Sequence, residues 1–491
     1  METSSQSSLV GALTTGPQTN NGALTNSTSN SYVVDFFFLL GALRKADAQT
    51  IISSFTQAFN EDQEITTKLL FYARDRNGQG ERKLFRIIIN HMAKNSSSGQ
   101  SLIKQNIPNI PYYGRWDDLF ALCDTPLEDD AIAYYAQVLR SGDPLAAKWA
   151  PREKSSKKTI ALKLMKALSC TPKQYRKMIS TQTTVVENKM CSNDWDSIDY
   201  SRVPSVAMSN YRHAFEKHSK ERWDQYISDL TSGKTKVNSS VLYPYQIVKP
   251  ILDGNYAYDQ YATRTESSQL NLLNSQWNSL PDYIQGSRER ILPVIDTSGS
   301  MYSSYGNGPL PIHVAIGLGL YISERNRSIF NNAFMTFSES PEMVHLSPGS
   351  LVDRVLAIKK SNWGMNTDLA KTFQTILAAA MNNHIPDTEM PTTILIISDM
   401  EFDSAVGSNT NYEYITQLYE AAGYSIPKVV FWNVNGRIGN SPVKTSDHNT
   451  LLVSGFSPVI MKHILASGSV TPLDLVADVV KSPRYYQVVT T

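Results

Sequence analysis

The sequence predicts a multidomain protein. An all-α helical region of solenoid type over residues 31–285 precedes an α/β doubly wound domain with a mostly parallel sheet over 286–491, and residues 1–30 form a flexible polar tail. Three observations carry that prediction. At 491 residues, with 41% apolar and 19% charged, the chain is globular but too long for one ordinary core. From residue 31 the apolar positions recur mainly at helical spacing. After about residue 286, short runs of branched residues alternate with helical stretches, the pattern of strand–helix–strand units.

The first thirty residues are dominated by Ser, Thr, Asn, Gly and Gln, which bury too little apolar surface to offset the entropy of ordering. In the helical half, Ile65 to Tyr72 and Ala131 to Leu139 carry the periodicity. Glycine and proline near Gly78, Pro108 to Gly114, Pro144 and Pro172 punctuate it into helices of moderate length. In the last third the order is Ile291–Ile295, Ile312–Ser323, Asn332–Phe337, Leu369–Ala380, Ile394–Ile397 and Val429–Val434. Apolar runs of that kind suit parallel strands covered by helices on both faces, and a ligand site then lies beyond their carboxyl ends.

Two of those runs end on an aspartate. Residues 291–300 read I-L-P-V-I-D-T-S-G-S and residues 392–399 read T-T-I-L-I-I-S-D. The D-x-S-x-S spacing directs one carboxylate and two hydroxyls to one turn, and a second loop, W-G-M-N-T-D at 363–368, precedes a helical pattern. An oxygen-rich, histidine-free and thiol-free set of this kind suits Mg2+, although another divalent cation is possible, and disfavours zinc. Together these loops resemble the metal-ion-dependent adhesion site of von Willebrand factor A domains. The match assigns Asp296, Ser298 and Ser300 to the first loop, Thr367 to the second and Asp399 to the third. An incomplete shell there leaves a position open for a partner's carboxylate or phosphate oxygen, and a protein partner donating an acidic residue is the one expected. Taken singly, each loop also reads as a capping turn. Glu401 and Asp403 make the third loop acidic; they read either as supports for the site's ligands or as solvated groups, and solvation is preferred.

Charge is locally uneven. Lys plus Arg number 46 against 45 Asp plus Glu, a net of +1, so a uniformly basic coat is excluded. Between Arg140 and Lys177, however, eleven basic residues face two acidic ones, 11 − 2 = +9. Lys148, Arg152, Lys154, Lys157, Lys158, Lys163, Lys166, Lys173, Arg176 and Lys177 are the candidate RNA-binding residues, with Trp149, Tyr175, Tyr134 and Tyr135 as candidate stacking surfaces. A solvated helix face is the plainer alternative. The cluster R-D-R-N-G-Q-G-E-R at 74–82 offers either phosphate contacts or arginine–carboxylate pairs that lock helices, and the second reading is preferred. For Y-G-R-W-D-D-L at 113–119, a buried tryptophan at a capped helix start is expected.

Several classes drop out. Ser232-Gly233-Lys234-Thr235 is not a phosphate-binding loop, because residue 228 is serine and no buried strand precedes it. Eight scattered histidines and the lack of a base for Ser298 give no catalytic constellation, so no enzyme is expected. Cys123, Cys170 and Cys191 lack paired spacing, and neither a signal peptide nor a membrane span is legible, so a reducing, cytoplasmic setting is expected.

The strings D-F-F-F-L-L-G-A-L-R at 35–44, R-D-R-N-G-Q-G-E-R, Y-G-R-W-D-D-L, K-W-A-P-R-E-K at 148–154 and Y-S-R-V-P-S at 200–205 resemble an uncharacterised two-part family of viruses, phages and eukaryotes. That family joins a helical region to a von Willebrand factor A domain. In architecture it is similar, more distantly, to the Ro autoantigen (TROVE) family. The resemblance implies HEAT-like helices and a non-enzymatic scaffold for small noncoding or misfolded RNA, with a Mg2+-dependent partner site in the A domain. The alternative is a protein-assembly module without RNA.

Overall fold

The computed structural model describes residues 17–183, 185–239, 242–254, 264–303, 309–337, 340–360, 368–403, 410–466 and 471–491. Contacts divide the chain into two units that are not the linear halves of the sequence. One unit comprises residues 1–45 and 243–479; the other comprises 46–242 and 480–491. The division expected near residues 30 and 285 therefore differs at both ends of the chain.

The first unit is built on six strands: β1 (Ile291–Asp296), β2 (Ala333–Phe337), β3 (Met343–His345), β4 (Thr393–Ser398), β5 (Lys428–Asn433) and β6 (Thr450–Ser454). Their order is β3-β2-β1-β4-β5-β6, with every pair parallel except β2–β3. β1 and β4 are buried along their whole length because both sheet faces are covered, which is why they read as unbroken apolar runs. The helix Pro311–Arg325 packs on β1, β2 and β4, and its Gly319 leaves room for the Ile295 side chain. Gly317 of the same helix admits the Pro244–Asp253 helix: a Cβ there would lie 2.7 Å from the Tyr245 nitrogen. The chain runs outward from β1 to β2 and β3, then returns to β4 on the other side, so the order reverses between β1 and β4.

Residues 17–31 are not a free tail in this unit. Thr25 Oγ1 donates to Ser441 O at 2.8 Å, Asn26 N donates to the same oxygen, and Gly22 forms a bridge with Asp403. Asp35 accepts from Ser29 N at 2.8 Å and from Thr28 Oγ1, fixing the entry to the helix Tyr32–Leu39, which packs on β6. The polar residues satisfy backbone groups of the sheet unit instead of burying apolar surface.

The second unit is helical, with consecutive helices packed on near neighbours from Ala48–Glu61 to Lys220–Thr231. Its arginine–aspartate motifs are structural. Asp118 accepts from Arg74 Nε at 2.7 Å, Arg86 Nε at 2.6 Å and its own turn's Arg115 N at 2.8 Å, while Asp75 is paired with Arg484 and Tyr485. Trp116 is buried at the start of the turn Trp116–Leu122, as expected. All three cysteines are free, and no helix among the described residues is long and apolar enough to cross a membrane.

Candidate functional site

The strand order reverses between β1 and β4, the position in an open α/β sheet where ligands generally bind beyond the carboxyl ends of the strands. Asp296 is the last residue of β1, and Asp399 follows the last residue of β4. Both are buried. Asp296 Oδ1 accepts from Ser298 N at 2.9 Å and Oδ2 accepts from Ser398 Oγ at 2.5 Å. Ser298 Oγ and Ser300 Oγ lie 3.0 Å apart, and Ser300 hydrogen-bonds to Asp399. Three of the expected oxygen donors thus gather about the first loop, with Asp399 beside them. Thr367 lies outside the described residues. Among the described residues, no cluster of three or more His, Cys, Asp or Glu side chains has metal-holding geometry, so this donor set rests on two carboxylates and hydroxyls.

The electrostatics follow from burial. Removal from water, then the neighbouring Asp399 charge, pushes the Asp296 carboxyl up to about 7. Burial chiefly raises Asp399 as well, and Glu401 adds to it. Thr297 Oγ1 is buried without a hydrogen-bond partner among the described residues. Met400, directly after Asp399, is a buried non-glycine residue with φ +68°, and its nitrogen donates to Ser398 Oγ at 2.9 Å. A left-handed residue at this point is a local strain held by its surroundings.

Two residues here were not expected from the sequence. Ser398 bridges the loops by donating to Asp296 and accepting from Met400. Lys45, whose Nζ donates to Asn435 Oδ1 at 2.7 Å, has its ammonium lowered by burial and by Arg44 and partly restored by Asp399. It arrives from the other end of the sequence, so no local spacing pointed to it. Glu401, expected in solvent, is buried. It pairs with Arg437 at 3.0 Å and accepts from Asn20 N at 2.7 Å, because the segment around residue 20 and the loop after β5 close over it. Asp403 is half-buried and bridged to Gly22.

The basic segment maps to the helices Pro144–Trp149, Lys158–Leu168 and Pro172–Gln182 and the loops between them. Lys148, Arg152, Lys154, Lys158, Lys166, Lys173 and Lys177 are exposed and make no ion pair among the described residues. Lys163 is paired with Glu128, and Arg176 with Glu153. Lys157 is half-buried, its Nζ 4.7 Å above the Phe120 ring. Two of the expected stacking residues are core instead. Tyr135 and Tyr175 are fully buried, and their hydroxyls donate to Ala146 O and Pro151 O. Tyr134 stacks on Trp116, and Trp149 carries the Arg115 guanidinium 3.9 Å above its ring.

A domain of unknown function, DUF2828, matches residues 136–288, and a second, DUF7788, matches residues 290–483. The uncharacterised protein L728 of Acanthamoeba polyphaga mimivirus is 29% identical over 521 residues, spanning 94% of this chain and 87% of that protein. Among solved structures, the Ro (RSR) protein of Deinococcus radiodurans is similar over 92% of this chain and 99% of its own, with 13% identity and a TM-score of 0.42.

Proposed function

We propose that the protein is a non-enzymatic, Ro-like scaffold with two binding surfaces. The sheet unit acts as a von Willebrand A-like domain that captures an acidic group of a protein partner through Mg2+. The helical unit, HEAT-like in kind, receives small noncoding or misfolded RNA on its basic segment.

The observation that carries the first half is the pair of buried carboxylates, Asp296 and Asp399, at the carboxyl ends of β1 and β4, where the strand order reverses. Two such groups repel when ionised, and a divalent cation would relieve that repulsion. The donor chemistry fits: carboxylate from Asp296 and Asp399, hydroxyl from Ser298 and Ser300, with Thr367 as the remaining expected donor. When bound, Mg2+ would supply an open coordination position for an anionic oxygen. Calorimetric titration with Mg2+ tests this reading: saturable binding that Asp296→Asn abolishes supports it, and an isotherm unchanged by that substitution refutes it.

The RNA half rests on the seven exposed, unpaired cations of the basic segment. Such a surface binds phosphate with strong salt dependence. The protein-assembly alternative gains weight from Tyr135 and Tyr175, whose burial removes two stacking platforms. A filter-binding titration with a structured RNA bearing a single-stranded tail separates the readings. Combined reversal of Lys154, Lys157 and Lys158 to glutamate should weaken binding and flatten its salt slope. Unchanged affinity would reject this surface, and a stoichiometric protein without RNA in the native complex would favour assembly.

A further inference from the structure

Residues 480–491 follow the sheet unit in sequence yet belong to the helical unit, where their partners lie 371 to 427 residues earlier in the chain. Their main chain is received by side chains. Tyr113 Oη donates to Arg484 O at 2.5 Å, Asn109 Nδ2 to Gln487 O at 2.9 Å and Gln63 Nε2 to Thr490 O at 2.9 Å. The Asn106 amide engages both polar groups of one residue: its Nδ2 donates to Val489 O at 2.8 Å, and its Oδ1 accepts from Val489 N at 3.1 Å. A carboxamide used in this way replaces a neighbouring strand, and it does so whatever side chain the held residue carries.

Selectivity comes from three side chains of the segment. Arg484 forms a two-point pair with the fully buried Asp75 carboxylate, Nε on Oδ2 and Nη2 at 2.6 Å from Oδ1. Tyr485 stacks on Tyr113 with ring centroids 5.6 Å apart, meets Tyr72 edge-on at 6.0 Å and donates its hydroxyl to Asp75 at 3.0 Å. Val488 is buried, whereas Pro483, Tyr486 and Gln487 are exposed. The groove therefore reads Arg-Tyr-x-x-Val. Between residues 481 and 491 only Tyr485 and Val488 are buried, and a segment with so little buried apolar surface opens locally far more readily than a core element.

We propose that this groove of the helical unit is a peptide receptor, that residues 483–490 are its exchangeable occupant, and that its partner is a segment of another protein carrying Arg-Tyr-x-x-Val. Side-chain amides that hold main chain, a carboxylate matched to a guanidinium fork and an aromatic seat together recognise a segment that brings no core of its own. The buried Asp75 charge demands a cation opposite it, which selects arginine over any neutral residue. Tethering favours the present occupant, whose effective concentration is on the order of millimolar, so a partner displaces it at comparable concentration or with added contacts of its own. The proposal requires neither the Mg2+ site nor RNA.

A fluorescein-labelled peptide of residues 482–491, titrated into the full chain and followed by anisotropy, tests the proposal. Arg484→Ala with Tyr485→Ala in the full chain weakens the occupant and leaves the groove side chains in place, so the peptide should bind this variant about tenfold or more tightly than the wild type. The same two substitutions made in the peptide should weaken its binding roughly tenfold or more. Circular dichroism establishes that the variant is folded. Should it not fold, a photo-crosslinking form of the peptide, at about millimolar concentration with the wild type, decides the matter, with crosslinks expected within residues 63–75 and 106–113. No binding to a folded variant, binding indifferent to the two peptide substitutions, or crosslinks absent from those residues overturns the proposal. A wild-type dimer in light scattering that the peptide dissociates would make a second copy the occupant and overturn the assignment to a separate partner.

Discussion

Asp118→Ala should be among the most destabilising single substitutions in the helical unit. The side chain is fully buried and joins three segments: the helix Gln63–Arg74 through Arg74, the helix Arg82–Asn95 through Arg86, and its own turn through Arg115 N. Arg74 is itself 5% exposed and lies 2.6 Å from Asp118, so the substitution leaves a buried guanidinium without its carboxylate. Breaking a buried pair from one side costs ~3–5 kcal/mol. Arg86 is 28% exposed and keeps Asp117 at 2.9 Å, so its share is discounted to ~1 kcal/mol or less. Urea unfolding followed by far-ultraviolet circular dichroism, with hydrogen exchange over residues 63–122 to localise the effect, measures the change. A loss below about 1 kcal/mol would refute the structural reading of these motifs and restore Arg74 as a candidate ligand contact.

Two further outcomes are expected in the sheet unit. Gly41→Ala should destabilise it by ~1–3 kcal/mol, because the added Cβ would meet the Gly455 backbone nitrogen at 2.7 Å and backbone cannot move aside; an unchanged melting temperature would contradict that packing. Without metal, Asp296 holds in the folded state a proton that the unfolded chain releases near its ordinary value of 3.8, since its folded value is about 7. Its contribution to stability is therefore fully present below about pH 4 and lost as pH rises through about 7. Asp399→Asn removes the neighbouring charge and should flatten that decline in a series of thermal melts. An equally steep decline would show that burial alone sets the Asp296 proton affinity.

What the sequence disclosed follows from how local each signal was. β1, β2, β4 and β5 were legible because strands covered on both faces need uninterrupted branched residues. β3 was not, being a three-residue edge with two exposed positions, and β6 lies after a loop whose polar residues hide its start. The positions of Asp296 and Asp399 at strand ends were likewise local facts. Lys45, Ser398 and the partners of Glu401 were not: Asn20 and Arg437 meet Glu401 from distant parts of the chain. Tyr135 and Tyr175 misled because aromatic rings beside lysines look the same in sequence whether they face solvent or core.

If Asp296 and Asp399 hold the proposed cation, the proton balance of Mg2+ binding reveals it. Calorimetric titrations near pH 7 in buffers of different ionisation enthalpy count the protons exchanged. A cation that replaces the proton held by this carboxylate pair should release a fraction of one proton per Mg2+ bound, and Asp296→Asn should abolish both binding and release. Mg2+ binding with no proton release, or binding that survives in Asp296→Asn, would place the cation away from this carboxylate pair.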